Sequence, residues 1–382
     1  MTAAFEDAAS SFAPALLPGG RYHGLDALRG VAAACIVAYH TILLNSLPIP
    51  IISTGVIYRL GMAVPLFYLL SAFSLSLGYY GKLGRFSDIV RYGVRRFLRI
   101  APLFYAVLPI WLCVMWFKYH QAPNLTAIVA NVTFLFGFIP GLHESIAWAG
   151  WSIGVEMIFY ALLPLIFLAA RGWRSSLALY VVSILAAIAF QHAIGSKTSY
   201  AYMNIISQLP HFMAGLVAFH VYRGGALAKF ADKAWILLVA GLAIWPLMAL
   251  LKLGHLTVWG VDVEQYLIGL AFPLIVLSQV LSPSRLIVNR LTLYVGQRSF
   301  GVYLLHPLAI LACQPLVQGL SENYGSYVSV PAGALLVMFL ATAAASVSYA
   351  LIEAPCMNFG RAKAPPRGSP APSRATPIAA AR

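Results

Sequence analysis

The chain has 382 residues, of which 61% are hydrophobic and 9% charged, and it carries a formal net charge of +14 with a mean hydropathy of +0.82. That balance excludes an ordinary water-soluble globule and points to an all-α, polytopic membrane protein. The basic residues are scattered between apolar runs, so they report membrane orientation and give no nucleic-acid-binding stripe.

Residues 1–20 hold Glu6 and Asp7 ahead of Pro14 and Pro18 and lack the basic start and adjoining apolar core of a cleaved signal peptide. They are expected to be a cytosolic segment, with the first apolar run retained as an anchor. Ten spans are predicted, at 25–46, 56–80, 100–118, 148–169, 176–194, 205–222, 235–252, 263–281, 299–320 and 329–352, because about 17 to 25 apolar residues cross ~30 Å of hydrocarbon. With the N-terminus in the cytosol, only Arg59, Lys118, Lys197 and Lys252 fall near the opposite side, and Arg29 lies within a span. Every other Lys and Arg is then inside, which selects an N-in, C-in orientation.

Segment 119–147 is the longest external connection, and its apolar run 128–139 is too short to cross, so a re-entrant segment or a lid is expected there. Residues 21–356 are expected to form the membrane domain, and 357–382, which lack an apolar period, a disordered, basic cytosolic tail. Cys35, Cys113, Cys313 and Cys356 show no CxxC or Cys/His spacing, so neither a metal site nor a disulfide framework is signalled.

The polar residues inside the spans need a reason. An ionised group at mid-bilayer costs roughly 2.5 to 3.5 kcal/mol on insertion scales, which makes Arg29 and His40 candidates for a working site. Their spacing is about three helical turns, so both lie on one face, about 16 Å apart. Asp26, three residues before Arg29, can pair with it and hold it. Arg95, Arg96 and Arg99 crowd the start of the third span. Orientation alone accounts for such a cluster, but with Arg29 approaching from another helix it also makes a pocket for phosphate groups.

Glu156 enters from the opposite side and reaches about the depth of His40, so it is expected to orient the imidazole and raise its basicity. The plainer alternative is that each satisfies some other buried polar group. His306, about 10 Å into the ninth span, is near the depth of Arg29 and is expected to line the same channel; a His beside a Pro can equally bond a carbonyl that the Pro frees. Glu353 is expected to bridge to an inner-side Arg. Ser152 can bond back into its own helix, and His120 and His143 are expected to be solvated loop residues.

Five stretches occur together: Leu25-Asp-Ala-Leu-Arg-Gly30 with His40, Pro65-Leu-Phe-Tyr-Leu-Leu-Ser-Ala-Phe73, Arg95-Arg-Phe-Leu-Arg-Ile-Ala-Pro102, Trp151-Ser-Ile-Gly-Val-Glu156, and Tyr303-Leu-Leu-His-Pro307. In this order, over roughly residues 20–356, they resemble the membrane-bound acyltransferase-3 family. The resemblance implies a ten-helix enzyme that takes an acyl group, often acetyl, from cytosolic acyl-coenzyme A and places it on a hydroxyl of a glycan or lipid-linked saccharide at the outer side. It implies no tightly bound cofactor, and a place in the inner membrane of the cell.

By the same resemblance, Arg29 and His40 match the family's Arg/His pair and Arg96 and Arg99 its RxxR element. Two departures stand out: Ala72 where a Gly is common, and Met157 after Glu156 where a second acidic residue is frequent. The additional periplasmic esterase-like domain of longer members is expected to be missing. On this reading His40 and Glu156 are the catalytic pair, Arg29, Arg96, Arg99 and His306 hold the donor, and Asp26, Arg95, Trp151 and Ser152 support them. Direct attack and an acyl-histidine intermediate both remain open. The competing class is a transporter or flippase using Arg29, His40 and Glu156 as a substrate or proton path.

Overall fold

The computed structural model describes residues 16–17, 21–47, 59–251 and 256–362. The helices are α1 (His23–Leu44), α2 (Ala63–Tyr79), α3 (Phe86–Tyr119), α4 (Leu125–Val132), α5 (Trp151–Ala169), α6 (Trp173–Ile194), α7 (Ser199–Tyr202), α8 (Ile205–Arg223) and α9 (Trp235–Leu250). They continue with α10 (Glu264–Gly269), α11 (Ala271–Leu281), α12 (Arg290–Gln297), α13 (Ser299–Tyr324), α14 (Ser326–Ser348) and, beyond a π turn at Tyr349–Glu353, α15 (Ala354–Ala362). Two antiparallel ribbons of two-residue strands are the only sheet among the described residues: β1 (Leu16–Leu17) with β2 (Arg21–Tyr22), and β3 (Thr257–Val258) with β4 (Val261–Asp262).

Nine helical stretches among the described residues are long and apolar enough to cross a bilayer, and α9 is a shorter apolar tenth. The protein is therefore an all-α polytopic membrane protein. The first residues of the expected second span (56–58), Lys252, most of the N-terminal segment and the tail from 363 onward lie outside the described residues. The last helix runs to Ala362, six residues into the stretch expected to be tail.

One element differs in length for a clear reason. The charges of Arg95, Arg96 and Arg99 set the predicted start of the third span at 100, whereas α3 begins at Phe86 and runs for 34 residues, about 51 Å at 1.5 Å per residue. Charge marks the membrane interface without ending a helix. Along the added turns, Phe86, Val90, Val94 and Phe97 form an exposed apolar stripe at helical spacing, so this part of α3 is amphipathic.

Segment 119–147 does not cross. Its α4 has 8 residues, about 12 Å of helix. Asn131 ties the segment together: its Oδ1 accepts from Ser145 Oγ at 2.6 Å and from the Ile146 amide at 3.1 Å, and its Nδ2 donates to Ala127 O at 2.9 Å. Phe136, fully buried, lies against Gly154, where a Cβ would come within 2.6 Å of the ring. The segment is thereby seated on the first turns of α5.

The core is centred on α2, flanked by α1 and α8. Leu69, Leu70, Ala72 and Phe73 are fully buried there, and an ion pair between Arg59 and Glu264 at 3.0 Å ties the turn that precedes this helix to α10. The contact that matters most for the site is between α1 and α12. A Cβ on Gly30 would stand 2.2 Å from Thr292 O, and one on Gly296 would stand 1.8 Å from Asp26 O. Only glycine permits this approach of two backbones.

Candidate active site

Two of the cavities among the described residues take in candidate site residues. The inner one, of 370 Å³, is lined by Arg29, Arg96, Arg99, Ser71, Glu156, Tyr160 and Tyr303, among others. The second, of 550 Å³, is lined by His40, Tyr39, Trp151, Gln191, Lys197, Tyr202, Asp262 and Gln265, among others. Val64 lines both.

Arg29 is held by three partners. It donates to Asp26 Oδ1 at 3.0 Å, to Ser74 Oγ at 2.6 Å and to Leu70 O at 3.5 Å. The Asp26 pairing is the one its spacing of three residues predicts. Arg96 lies over the Tyr79 ring, 5.6 Å from its centre, and Arg99 donates to Met357 Sδ at 3.2 Å, so α15 closes one side of the arginine group. Three guanidinium groups thus share one cavity whose acidic side chain, Glu156, is already engaged. Fixed, partly desolvated guanidinium forks of this kind suit phosphate oxygens.

Arg95 does not share that cavity. It leans on α15, its Cγ 4.0 Å from where a Cβ on Gly360 would stand. At 100° per residue Arg99 sits between the other two around the helix, and Arg95 and Arg96, about 100° apart, fall on opposite flanks of it, so the cavity that takes Arg96 and Arg99 leaves Arg95 outside.

Glu156 is not beside His40, contrary to the expectation from depth. Its Oε1 accepts from Ser71 Oγ at 2.7 Å and from Tyr160 OH at 2.5 Å. Equal depth says nothing about which way a side chain points, and Glu156 shares its helix face with Ser152 and Tyr160, four residues either side, toward the inner cavity. Ser152 Oγ donates to Tyr303 OH at 2.7 Å, and Tyr303 OH to Ala149 O at 3.0 Å. Trp151, one residue earlier, turns to the second cavity, with its ring centre 5.5 Å from that of Tyr202.

The partner of His40 is His306. His40 Nδ1 and His306 Nε2 are 2.8 Å apart, the two rings are nearly parallel at 12°, and His306 is fully buried. His306 therefore lies away from the guanidinium groups with which its counted depth had placed it. That count began at the membrane surface, but α13 is preceded by α12, which packs on α1. From the Gly30/Gly296 contact, ten residues along each segment lead to His40 and to His306, and equal path lengths bring the two rings together. His306 Nδ1 also lies 2.5 Å from Tyr303 O, the carbonyl that Pro307 leaves without its helical amide donor.

Two further polar residues differ from expectation. His143 is buried rather than solvated: Nδ1 accepts from the Gly141 amide at 3.2 Å, and Nε2 stands 2.9 Å from Ser199 Oγ. Burial pushes its imidazole below its ordinary value, against a smaller upward pull from Glu144. Glu353 is likewise buried, accepting from Ser348 Oγ at 3.4 Å.

Ser71, Ser74, Tyr160 and Tyr303 escaped the sequence reading as site residues. Ser71 and Tyr303 lie within motifs quoted above, yet a lone hydroxyl in an apolar helix ordinarily bonds its own backbone. Their partners become visible only when the helices are assembled: Ser74 meets Arg29, Ser71 joins Tyr160 on Glu156, and Tyr303 meets Ser152.

A family model for an acyltransferase domain matches residues 22–350. Two relatives are similar over most of their length. One is a protein of Acidianus two-tailed virus provisionally named acetyltransferase ORF330, 24% identical over 295 residues, covering 74% of this chain and 81% of the relative. The other is exopolysaccharide production protein ExoZ of Rhizobium meliloti (strain 1021), 24% identical over 255 residues, covering 63% of this chain and 73% of the relative. No solved structure matches. The family match spans both cavities and the helices that build them, and the chain belongs to this acyltransferase family: it is a multi-pass membrane acyltransferase.

Proposed function

We propose that the protein moves an acyl group, most simply acetyl, from cytosolic acyl-coenzyme A to a hydroxyl of a cell-surface or exported glycan. The observation that carries this reading is the pair of cavities meeting along Val64, one with three guanidinium groups and one with His40. Arg29, Arg96 and Arg99 bind the donor's phosphates, and the extended phosphopantetheine arm spans the distance to His40. Glu156, bonded by Ser71 and Tyr160, shapes the wall of the donor cavity.

The second cavity suits a saccharide. Trp151, Tyr202 and Tyr39 offer ring faces, and Gln191 and Gln265 offer amides, the mixture of apolar faces and polar groups that sugars require. In the transfer, His40 takes the proton of the acceptor hydroxyl as its oxygen attacks the thioester carbonyl. The carbon–sulfur bond then breaks, and the proton passes to the departing thiolate, leaving an ester and free coenzyme A thiol. The Lys and Arg excess on the side of Arg96 and Arg99 supports a cytosolic donor side at a cell inner membrane, and the relative named for exopolysaccharide production supports an exported glycan as acceptor.

The test is a comparison of surface and secreted glycans, by mass, from cells carrying the protein and cells carrying His40→Ala. A shift of one acyl group per modified sugar, lost in the variant, is the expected result. Identical glycan masses in both would overturn the acceptor assignment.

A further inference from the structure

Resting on that reading of His40, we infer that His306, with the carbonyl freed by Pro307, is a positioning residue that locks the tautomer of His40 and leaves His40 Nε2 as the basic atom. The argument starts from Tyr303 O, which can only accept. His306 Nδ1 lies 2.5 Å from it, so Nδ1 carries the proton and donates. A neutral imidazole has one donor and one acceptor nitrogen, so His306 Nε2 is the acceptor.

His40 Nδ1, 2.8 Å away, must then be the donor. Its Nε2 is left without a proton, on the side of the ring away from His306, and His40 lines the second cavity. The reverse arrangement needs a doubly protonated His306 in a site with no solvent exposure, and a buried, unpaired charge there is costly.

Pro307 has a defined part. In a helix the amide of residue 307 would bond Tyr303 O, but Pro has none. The carbonyl is thereby open to the His306 side chain. During transfer the imidazolium of His40 keeps its Nδ1–H bonded to His306 Nε2, and the proton gained on Nε2 is the one handed to the leaving thiolate. His306 itself neither gains nor loses a proton.

The experiment compares full-length wild type, His306→Gln and His306→Leu, purified in detergent and checked for unchanged gel-filtration elution. Gln offers an amide oxygen near the place of Nε2, whereas Leu offers no acceptor. Free thiol released from acetyl-coenzyme A, with water as acceptor, gives kcat and KM, and diethyl pyrocarbonate labelling of His40, mapped by peptide mass, gives a readout independent of turnover. His306→Leu is expected to lower kcat by about 10²- to 10⁴-fold, the contribution of a positioned base, with KM for acetyl-coenzyme A unchanged and slower labelling of His40. His306→Gln is expected to keep kcat within about tenfold of wild type and to label at the wild-type rate.

Wild-type turnover in His306→Leu, or a loss in His306→Gln as deep as that in His306→Leu, would overturn the inference, the second result making His306 a proton carrier. Absence of thiol release from wild type would instead count against the proposed function. The labelling rates then decide the inference alone, and equal rates in all three proteins would overturn it.

Discussion

At the scale of single residues, the proposed function separates donor binding from chemistry. Arg96 and Arg99 face the inner cavity and His40 the second, so their variants should fail differently. Arg96→Ala or Arg99→Ala removes a charged hydrogen-bond donor worth about 1.5 to 3 kcal/mol and is expected to raise KM for acetyl-coenzyme A about 10- to 150-fold while changing kcat little. His40→Ala is expected to lower kcat by about 10²-fold or more while leaving coenzyme A binding intact. Steady-state kinetics with calorimetric binding of coenzyme A checks both, and unchanged coenzyme A affinity in the arginine variants would return the cluster to a purely topological role. Asp26 was legible as the partner of Arg29 because both lie on one helix at a spacing that forces contact. The His40/His306 pair was not, because it depends on where a distant helix begins.

At the scale of elements, the contact of α1 with α12 sets the site. Gly30 and Gly296 let the backbones touch, and the ten residues beyond each deliver the two imidazoles to one place. Gly296→Val is expected to cost about 1 to 3 kcal/mol through overpacking and to lower both the thermal midpoint and kcat, since separating α12 from α1 also separates His306 from His40. Thermal unfolding of the purified protein alongside thiol release checks this, and full activity at an unchanged midpoint would contradict it. The sequence displayed the apolar spans but hid α12, an 8-residue helix too short and too polar to register as a span. The extension of α3 was hidden for the opposite reason, since its arginines looked like a boundary.

The segment seated on α5 makes a pH prediction. The His143 imidazole is held below its ordinary value by burial, so between its folded and unfolded values the unfolded segment binds more protons and stability rises with pH. The docked form is therefore expected to be fully stable above about pH 6.5, the unperturbed histidine value, and to loosen as pH falls below it. Hydrogen exchange of residues 141–146, expressed as protection relative to the intrinsic exchange rate at each pH, checks the direction, and lower protection at the higher pH would contradict it.

At the scale of the whole molecule, the proposed function requires that the two cavities be reached from opposite faces of the membrane. The fold class and the family were legible because a mean hydropathy of +0.82 and five ordered motifs act over the entire chain. The assignment of side chains to cavities was not, since it depends on helix rotation and tilt that spacing along one helix cannot give. Orientation can be checked directly: in a cysteine-free background, Glu144→Cys, in the connection before α5, is expected to react with a membrane-impermeant maleimide from outside intact cells. Ala226→Cys, between α8 and α9, is expected to react only after permeabilisation. The reverse pattern would invert the topology.

The central claim is that the bundle draws an acyl group from coenzyme A and that the His40 imidazole makes the transfer possible. Its most direct measurement is release of free thiol from acetyl-coenzyme A by the purified protein. The account predicts sustained release by wild type, weaker apparent donor affinity in Arg96→Ala and Arg99→Ala, and a rate at the uncatalysed background in His40→Ala. Equal thiol release by wild type and His40→Ala would contradict it.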